Sequence, residues 1–224
     1  MKGLMQDWPL LVHTFIDHAS LHHSEREIVT RKVEGDIHRT NYLEIHSRAR
    51  KFSKALIKLG VKKSDVIGTL AWNTHRHLET WYGITGVGAI YHTLNPRLFL
   101  EQLEYIINHA DNKYIIADIT FVKILEGIES KLSNVKGFIF LTDSENMPET
   151  NLKNIFCYEE MINLEDDDYE WLKVEETDAC GLCYTSGTTG KAKGVMLSHY
   201  NILSNVSSLE RRFGPMHADQ TFTT

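Results

Sequence analysis

Apolar positions near the start of the chain recur at helical spacing. Leu11, Val12, Phe15, Ile16 and Ala19 form a stripe behind Pro9, a residue suited to a first helical turn. Tyr42, Ile45, Ala49, Phe52, Leu56 and Leu59 repeat at three- and four-residue steps, with Asn41 and Glu44 as a capping pair and Gly60 as the stop. Between these two predicted helices, residues 27–32 and 36–39 flank Glu34-Gly35 and predict a short hairpin.

From residue 65 the pattern alternates. Strands are predicted at 65–70, 90–94, 113–117 and 137–141, and helices at 75–89, 98–109 and 120–132. Strands that alternate with helices imply an α/β fold, a layered and mostly parallel sheet flanked by helices. The pattern breaks after Leu141. Residues 142–154 are polar, contain Met147-Pro148 and read as a loop. Residues 159–176 are dense in acids, with Asp166, Asp167 and Asp168 in a row, and read as a solvated connection. A short apolar strand follows at 179–184, an extended piece at 195–197, and a helix from about 199 to 213 with Ser198 as its N-cap. The expected organisation is a first α/β portion (1–141), a polar acidic connection (142–176) and the start of a second portion (177–224).

Composition bounds this picture more than it sharpens it. The chain has 224 residues, 42% hydrophobic and 24% charged, enough to bury a sizeable core. A formal charge of -6 without a basic stripe argues against nucleic acid as the main partner. It leaves room for an anion site, because phosphate capture needs only local positive potential. Three cysteines give no disulfide framework. The N-terminus lacks the apolar core of a secretory signal, and no apolar run approaches the length that spans a bilayer. A cytoplasmic protein is expected.

The candidate chemistry sits in ten consecutive residues, Thr185, Ser186, Gly187, Thr188, Thr189, Gly190, Lys191, Ala192, Lys193 and Gly194. Gly187, Gly190 and Gly194 would let the backbone take positive φ and approach a bulky anion. Successive N–H groups in such a turn make an anion nest. The hydroxyls of Thr185, Ser186, Thr188 and Thr189 add donors, and Lys191 and Lys193 add charge. The spacing excludes a Walker A loop. That motif needs four residues between its glycines and Ser or Thr after its lysine, whereas here two residues separate Gly187 from Gly190 and Ala192 follows Lys191.

The stretch from Thr177 through Tyr184 to Val195 resembles the AMP-binding signature of the adenylate-forming enzymes, the superfamily of acyl-CoA synthetases, luciferases and nonribosomal-peptide adenylation domains. Trp72 to His75, Asn95-Pro96-Arg97 and the opening Gly3 to Pro9 are similar to the corresponding parts of fatty-acyl-CoA synthetases. The resemblance covers nearly the whole chain and implies an incomplete large N-terminal domain of such an enzyme. It implies a carboxylic acid, expected to be a fatty acid, that is activated by ATP with Mg²⁺ as an acyl-adenylate and transferred to coenzyme A. By position, Thr185, Ser186, Gly187, Thr188, Thr189 and Gly190 would hold the β- and γ-phosphates, with Lys193 as counter-charge. Ala192 departs from the family's usual proline, which would leave a more mobile loop. The resemblance also implies elements beyond Thr224. These are an aromatic and histidine motif, a Mg²⁺-binding glutamate, a ribose-binding aspartate and a small C-terminal domain with its catalytic lysine. No catalytic residue or metal ligand is therefore assigned here, and the chain is expected to be inactive alone. A non-catalytic ATP-binding or interaction module is the alternative.

Weaker constellations remain. Cys180 and Cys183 read as buried small apolar groups on opposite strand faces. His18 and His22 lie four apart on a helix, as a metal pair would, with no further ligand placed beside them. His75 and His77 do not face each other on a helix. His92 and Thr93 sit at a strand end, where ligands of parallel sheets bind. Trp72, Trp81, Tyr82 and Tyr91 are expected in the core rather than against adenine. Arg211 and Arg212 read as a solvated helix end, with a coenzyme phosphate as the other possibility.

Overall fold

The computed structural model describes residues 8–185 and 192–213. Helix α1 (His13–His22) precedes a two-stranded antiparallel hairpin, β1 (Glu27–Arg31) and β2 (Ile37–Asn41), which leads into α2 (Tyr42–Lys58). Asn41 caps α2 by accepting from the Glu44 amide at 2.9 Å, while the Glu44 carboxylate turns to the Thr40 hydroxyl. Gly60 takes φ +81° just beyond the helix, the left-handed position the stop requires. Phe15 is exposed, against expectation. The helix begins only at His13; Leu11 and Val12 just before it and Ile16 within it are buried.

Strand β3 (Val66–Leu70), helix α3 (His75–Gly86), strand β4 (Ile90–Thr93), helix α4 (Leu100–His109), strand β5 (Asn112–Ala117), helix α5 (Val122–Ile128) and strand β6 (Gly137–Phe140) follow the predicted alternation. The region predicted as one helix over 120–132 is shorter, with a 3₁₀ turn at each end of α5. Strand β7 (Ile155–Cys157) was not expected, and helix α6 (Tyr158–Asn163) stands at the start of the stretch read as a solvated connection. β7 is too short to show a period, and two acids, Glu159 and Glu160, conceal the helical spacing of Tyr158 and Ile162, which are both fully buried.

With β8 (Ala179–Thr185) and β9 (Lys193–Ser198), seven strands form one sheet in the order β7-β6-β5-β3-β4-β8-β9. All neighbours are parallel except β8 and β9. Helix α7 (His199–Phe213) leaves β9 through a reciprocal cap, in which the Asn201 amide donates to Ser198 Oγ and the Ser198 amide to Asn201 Oδ1. The sheet is covered on both faces, as a parallel sheet requires. Ile67, Tyr91, Tyr114, Ile116 and Ile139 face α2, α3 and α6, while Leu70, Ile115, Ala117, Phe138 and Phe140 face α4 and α5.

The first of these layers contains a buried ionic cluster. Arg48 reaches Glu79 and Glu159 at 2.8 and 2.9 Å, and Arg76 reaches Glu159 and Glu34 at 2.8 and 2.7 Å. Arg76 also donates to the Leu141 carbonyl, and the Tyr158 hydroxyl to Glu79. Burial pushes Glu79 upward. Burial would raise Glu159 as well, but the two guanidiniums outweigh it and hold it below the ordinary carboxylate range. The acidic connection is therefore less solvated than its composition suggests. Glu159 sits in the cluster, the Glu165 side chain is 5% exposed and pairs with Lys58, and Trp171 packs against Gly86, where a Cβ would clash with its ring. Among the described residues, no helix is long and apolar enough to cross a membrane.

Candidate phosphate-binding hairpin

The order of strands locates the candidate site. The chain leaves β3 on one side for β4 and returns to the other side for β5, so connections diverge at the carboxyl ends of these strands, where open parallel sheets bind ligands. β8 lies next to β4, with Thr93 opposite Cys183, and carries Tyr184 and Thr185 to that same edge. The chain then returns antiparallel as β9, pairing Thr185 with Lys193 and Tyr184 with Gly194. Thr185 and Lys193 are both exposed at the open end of this pair. Two of the predicted phosphate contacts are thus cross-strand partners. Ser186, Gly187, Thr188, Thr189, Gly190 and Lys191 lie outside the described residues.

Gly194 needs a different explanation from the one its sequence suggests. It lies in β9 without positive φ. A Cβ there would approach Tyr184 Cζ and Leu182 Cδ1 to 3.2 Å, so glycine makes room for the tyrosine ring. Ala192, in the position of the family's proline, is partly buried against the α4–α5 layer.

Around the hairpin, His92 is fully buried and its Nδ1 meets the Asn112 side chain at 3.0–3.1 Å. Burial pushes its pKa down to about 4, against the Asn112 hydrogen bond, so the ring is neutral. Its ring packs on Tyr184 at 5.2 Å, which makes it a support of the hairpin rather than a strand-end ligand. Tyr184 Oη is 2.6 Å from His109 Nδ1. Burial raises Asp118, beyond β5, to about 6, although it accepts from the Trp72 amide. Trp72 departs from the expected core position. Its ring is half exposed at this edge, tilted on Phe121 and bonded through Nε1 to Thr120.

The other candidates do not join the hairpin. Cys180 packs with Val12 and Leu203, whereas Cys183 faces the Thr93 hydroxyl at 3.4 Å. The His18 and His22 rings lie 4.5 Å apart. His75 stacks on His38, and His77 meets the Tyr91 hydroxyl. Arg211 and Arg212 are exposed in the last turn of α7. A cleft of about 390 Å³ between α1, α2 and residues 169–173 is lined by none of the hairpin residues. Sequence reasoning missed His109 and Asn112, and only their proximity to a predicted strand end could have suggested them.

The profile of the AMP-binding enzyme family matches residues 16–224. The chain is 45% identical over 199 residues to a 3-methylmercaptopropionyl-CoA ligase of Ruegeria lacuscaerulensis, covering 89% of this chain and 37% of that protein. It is 41% identical to a medium-chain-fatty-acid–CoA ligase of Ectopseudomonas oleovorans, covering 89% and 36%. A solved long-chain-fatty-acid-CoA ligase of Archaeoglobus fulgidus superposes with a TM-score of 0.76 at 22% identity, over 96% of this chain and 41% of that one, which is a likeness of fold. The chain thus spans little more than a third of the length of these curated relatives. A profile match over most of the chain, on a fold that carries the signature as a hairpin at the sheet's carboxyl edge, shows that the chain belongs to the AMP-binding enzyme family.

Proposed function

We propose that this chain is the ATP-gripping portion of an acid–thiol ligase that activates an aliphatic carboxylic acid and passes it to coenzyme A. The observation that carries the reading is the β8–β9 hairpin, which brings Thr185 and Lys193 face to face at the carboxyl edge of a parallel sheet. A carboxylate is a poor acyl donor because its leaving group would be oxide. Attack of a carboxylate oxygen on the α-phosphorus breaks the bond to the β-phosphate, releases pyrophosphate and installs AMP as a leaving group. A thiol then attacks the acyl carbon and displaces AMP. The task of the hairpin is to hold the triphosphate in line and to meet the charge that accumulates on the departing pyrophosphate. Thr185, Ser186, Thr188 and Thr189 supply hydroxyl donors, Gly187 and Gly190 supply close-approaching amides, and Lys193 supplies the cation. The relatives' names support an aliphatic acid. Among the described residues, no group of three or more His, Cys, Asp or Glu side chains could hold a metal ion, so no residue here is assigned as a Mg²⁺ ligand.

The test is ATP–pyrophosphate exchange together with thermal stabilisation by ATP–Mg²⁺. A ligand at a hundred times its Kd stabilises by about 2.7 kcal/mol. The intact 224-residue chain is expected to show such a shift without robust exchange. The absence of any shift would sink the phosphate-grip reading, and robust exchange with a carboxylate would show that the chain needs no further part.

A further inference from the structure

Among the described residues, β9 has one neighbour, β8, and stands at the edge of the sheet with Val195 and Met196 exposed. A strand paired on one side only is held less firmly than the strands inside the sheet, so the register of Thr185 against Lys193 gains from support outside the pair. Tyr184 provides it. Its ring packs on buried His92, which is fixed by Asn112, itself bonded to the Ile107 carbonyl at the end of α4. Its hydroxyl meets His109 Nδ1 at 2.6 Å, and His109 is held in turn by stacking on Tyr105 at 5.3 Å. On its remaining side the ring fills the space that Gly194 leaves open on β9. One side chain therefore ties β4, the last residue of α4 and β9 together immediately beneath the loop.

We infer that Tyr184 and His109 are positioning residues for phosphate binding, because the Tyr184 ring over Gly194 and its hydroxyl on His109 fix the two arms from which the loop departs. This inference rests on the phosphate-grip reading. The tyrosine acts through Thr185 and Lys193 and need not touch the ligand. The hydroxyl is the informative atom. Tyr184→Phe keeps the ring, the contact with His92 and the fit to Gly194, and removes only the link to α4. His109→Ala removes the same link from the other side. His109→Asn places an amide where Nδ1 was and can restore it.

The deciding experiment uses the 224-residue chain. Backbone amide exchange is first measured without ligand over residues 183–185 and 193–195, with β5 as internal reference. Loss of one hydrogen bond is expected to speed exchange at the hairpin base about five-fold in Tyr184→Phe and His109→Ala. His109→Asn should return it to within about two-fold of wild type, with β5 unchanged throughout. The apparent Kd for ATP–Mg²⁺ is expected to weaken by a similar factor in the first two variants and to recover in the third. Unchanged exchange at the hairpin base would overturn the inference. So would an equal rise in β5, which would mark general destabilisation, or faster hairpin exchange with unaltered ATP affinity. If the wild-type chain does not bind ATP, the phosphate-grip reading fails and this inference with it. The ligand-free exchange then still reports whether Tyr184 and His109 hold the hairpin.

Discussion

The chain places charge in two ways, and the contrast separates architecture from chemistry. Arg48, Arg76, Glu34, Glu79 and Glu159 are bonded to one another on one face of the sheet, and Glu79 is wholly buried. Lys193 and Thr185 stand exposed at the carboxyl edge, opposite each other across a strand pair. The first group turns its hydrogen bonds inward to the protein, with Glu34 Oε2 buried and without a partner among the described residues. It joins the hairpin tip at Glu34, helices α2, α3 and α6, and the end of β6. The second group offers donors and charge to whatever arrives. The perturbed glutamates alone would have pointed to the wrong place, because they belong to the structural cluster.

The contrast can be broken first at Arg76. Replacement by Met leaves Glu34 and Glu159 buried with fewer partners and should cost about 3–5 kcal/mol of folding stability. Urea unfolding measures this, and a loss below about 1 kcal/mol would mean that the cluster is not holding the layers together.

A second effect comes from buried neutral histidines. His92 and His199 have pKa values lowered from 6.5 to about 4, in each case with burial as the largest cause. His199 Nδ1 accepts from the Val12 amide, which a protonated ring could not do. The unfolded chain takes up protons near pH 6.5 and the folded chain only near 4. Their stabilisation is therefore intact above about pH 6.5 and declines as the pH falls to 4, by at most on the order of 3 kcal/mol per ring. Stability curves of His199→Gln should fall less steeply over that window than those of wild type. Parallel curves would show that His199 is not held neutral.

The third effect is the smallest on stability and the most specific. Lys193→Ala should alter unliganded stability by no more than about 0.5 kcal/mol, since the side chain is exposed. It should reduce the stabilisation by ATP–Mg²⁺ by about 1.5–3 kcal/mol if the ammonium meets phosphate. Equal ATP shifts in variant and wild type would remove Lys193 from the site.

Where periodicity is local, the sequence was readable. The caps at Asn41 and Ser198, the stop at Gly60 and the alternation from β3 to β6 follow from residues within a few positions of one another. β7 and α6 were invisible because their support is distant. β7 exists by pairing with β6, and Tyr158 finds its partner in Glu79. The phosphate loop was legible as a composition, and the strand pair beneath it was not. Nothing in the local pattern says that Lys193 starts a strand antiparallel to β8, that Tyr184 needs Gly194, or that His109 lies beside them.

The reversal of direction at β9 has an electrostatic consequence. In a loop that runs from a strand straight into a helix, the helix N-terminus contributes about half a positive charge to a bound phosphate. Here six residues of β9 intervene before α7 begins, a separation of about 17 Å at strand rise. That is well beyond a Debye length of about 8 Å at physiological salt. A phosphate held at the proposed grip would therefore gain little from the α7 N-terminus, and its affinity should fall with ionic strength more steeply than in a nucleotide site backed by a helix.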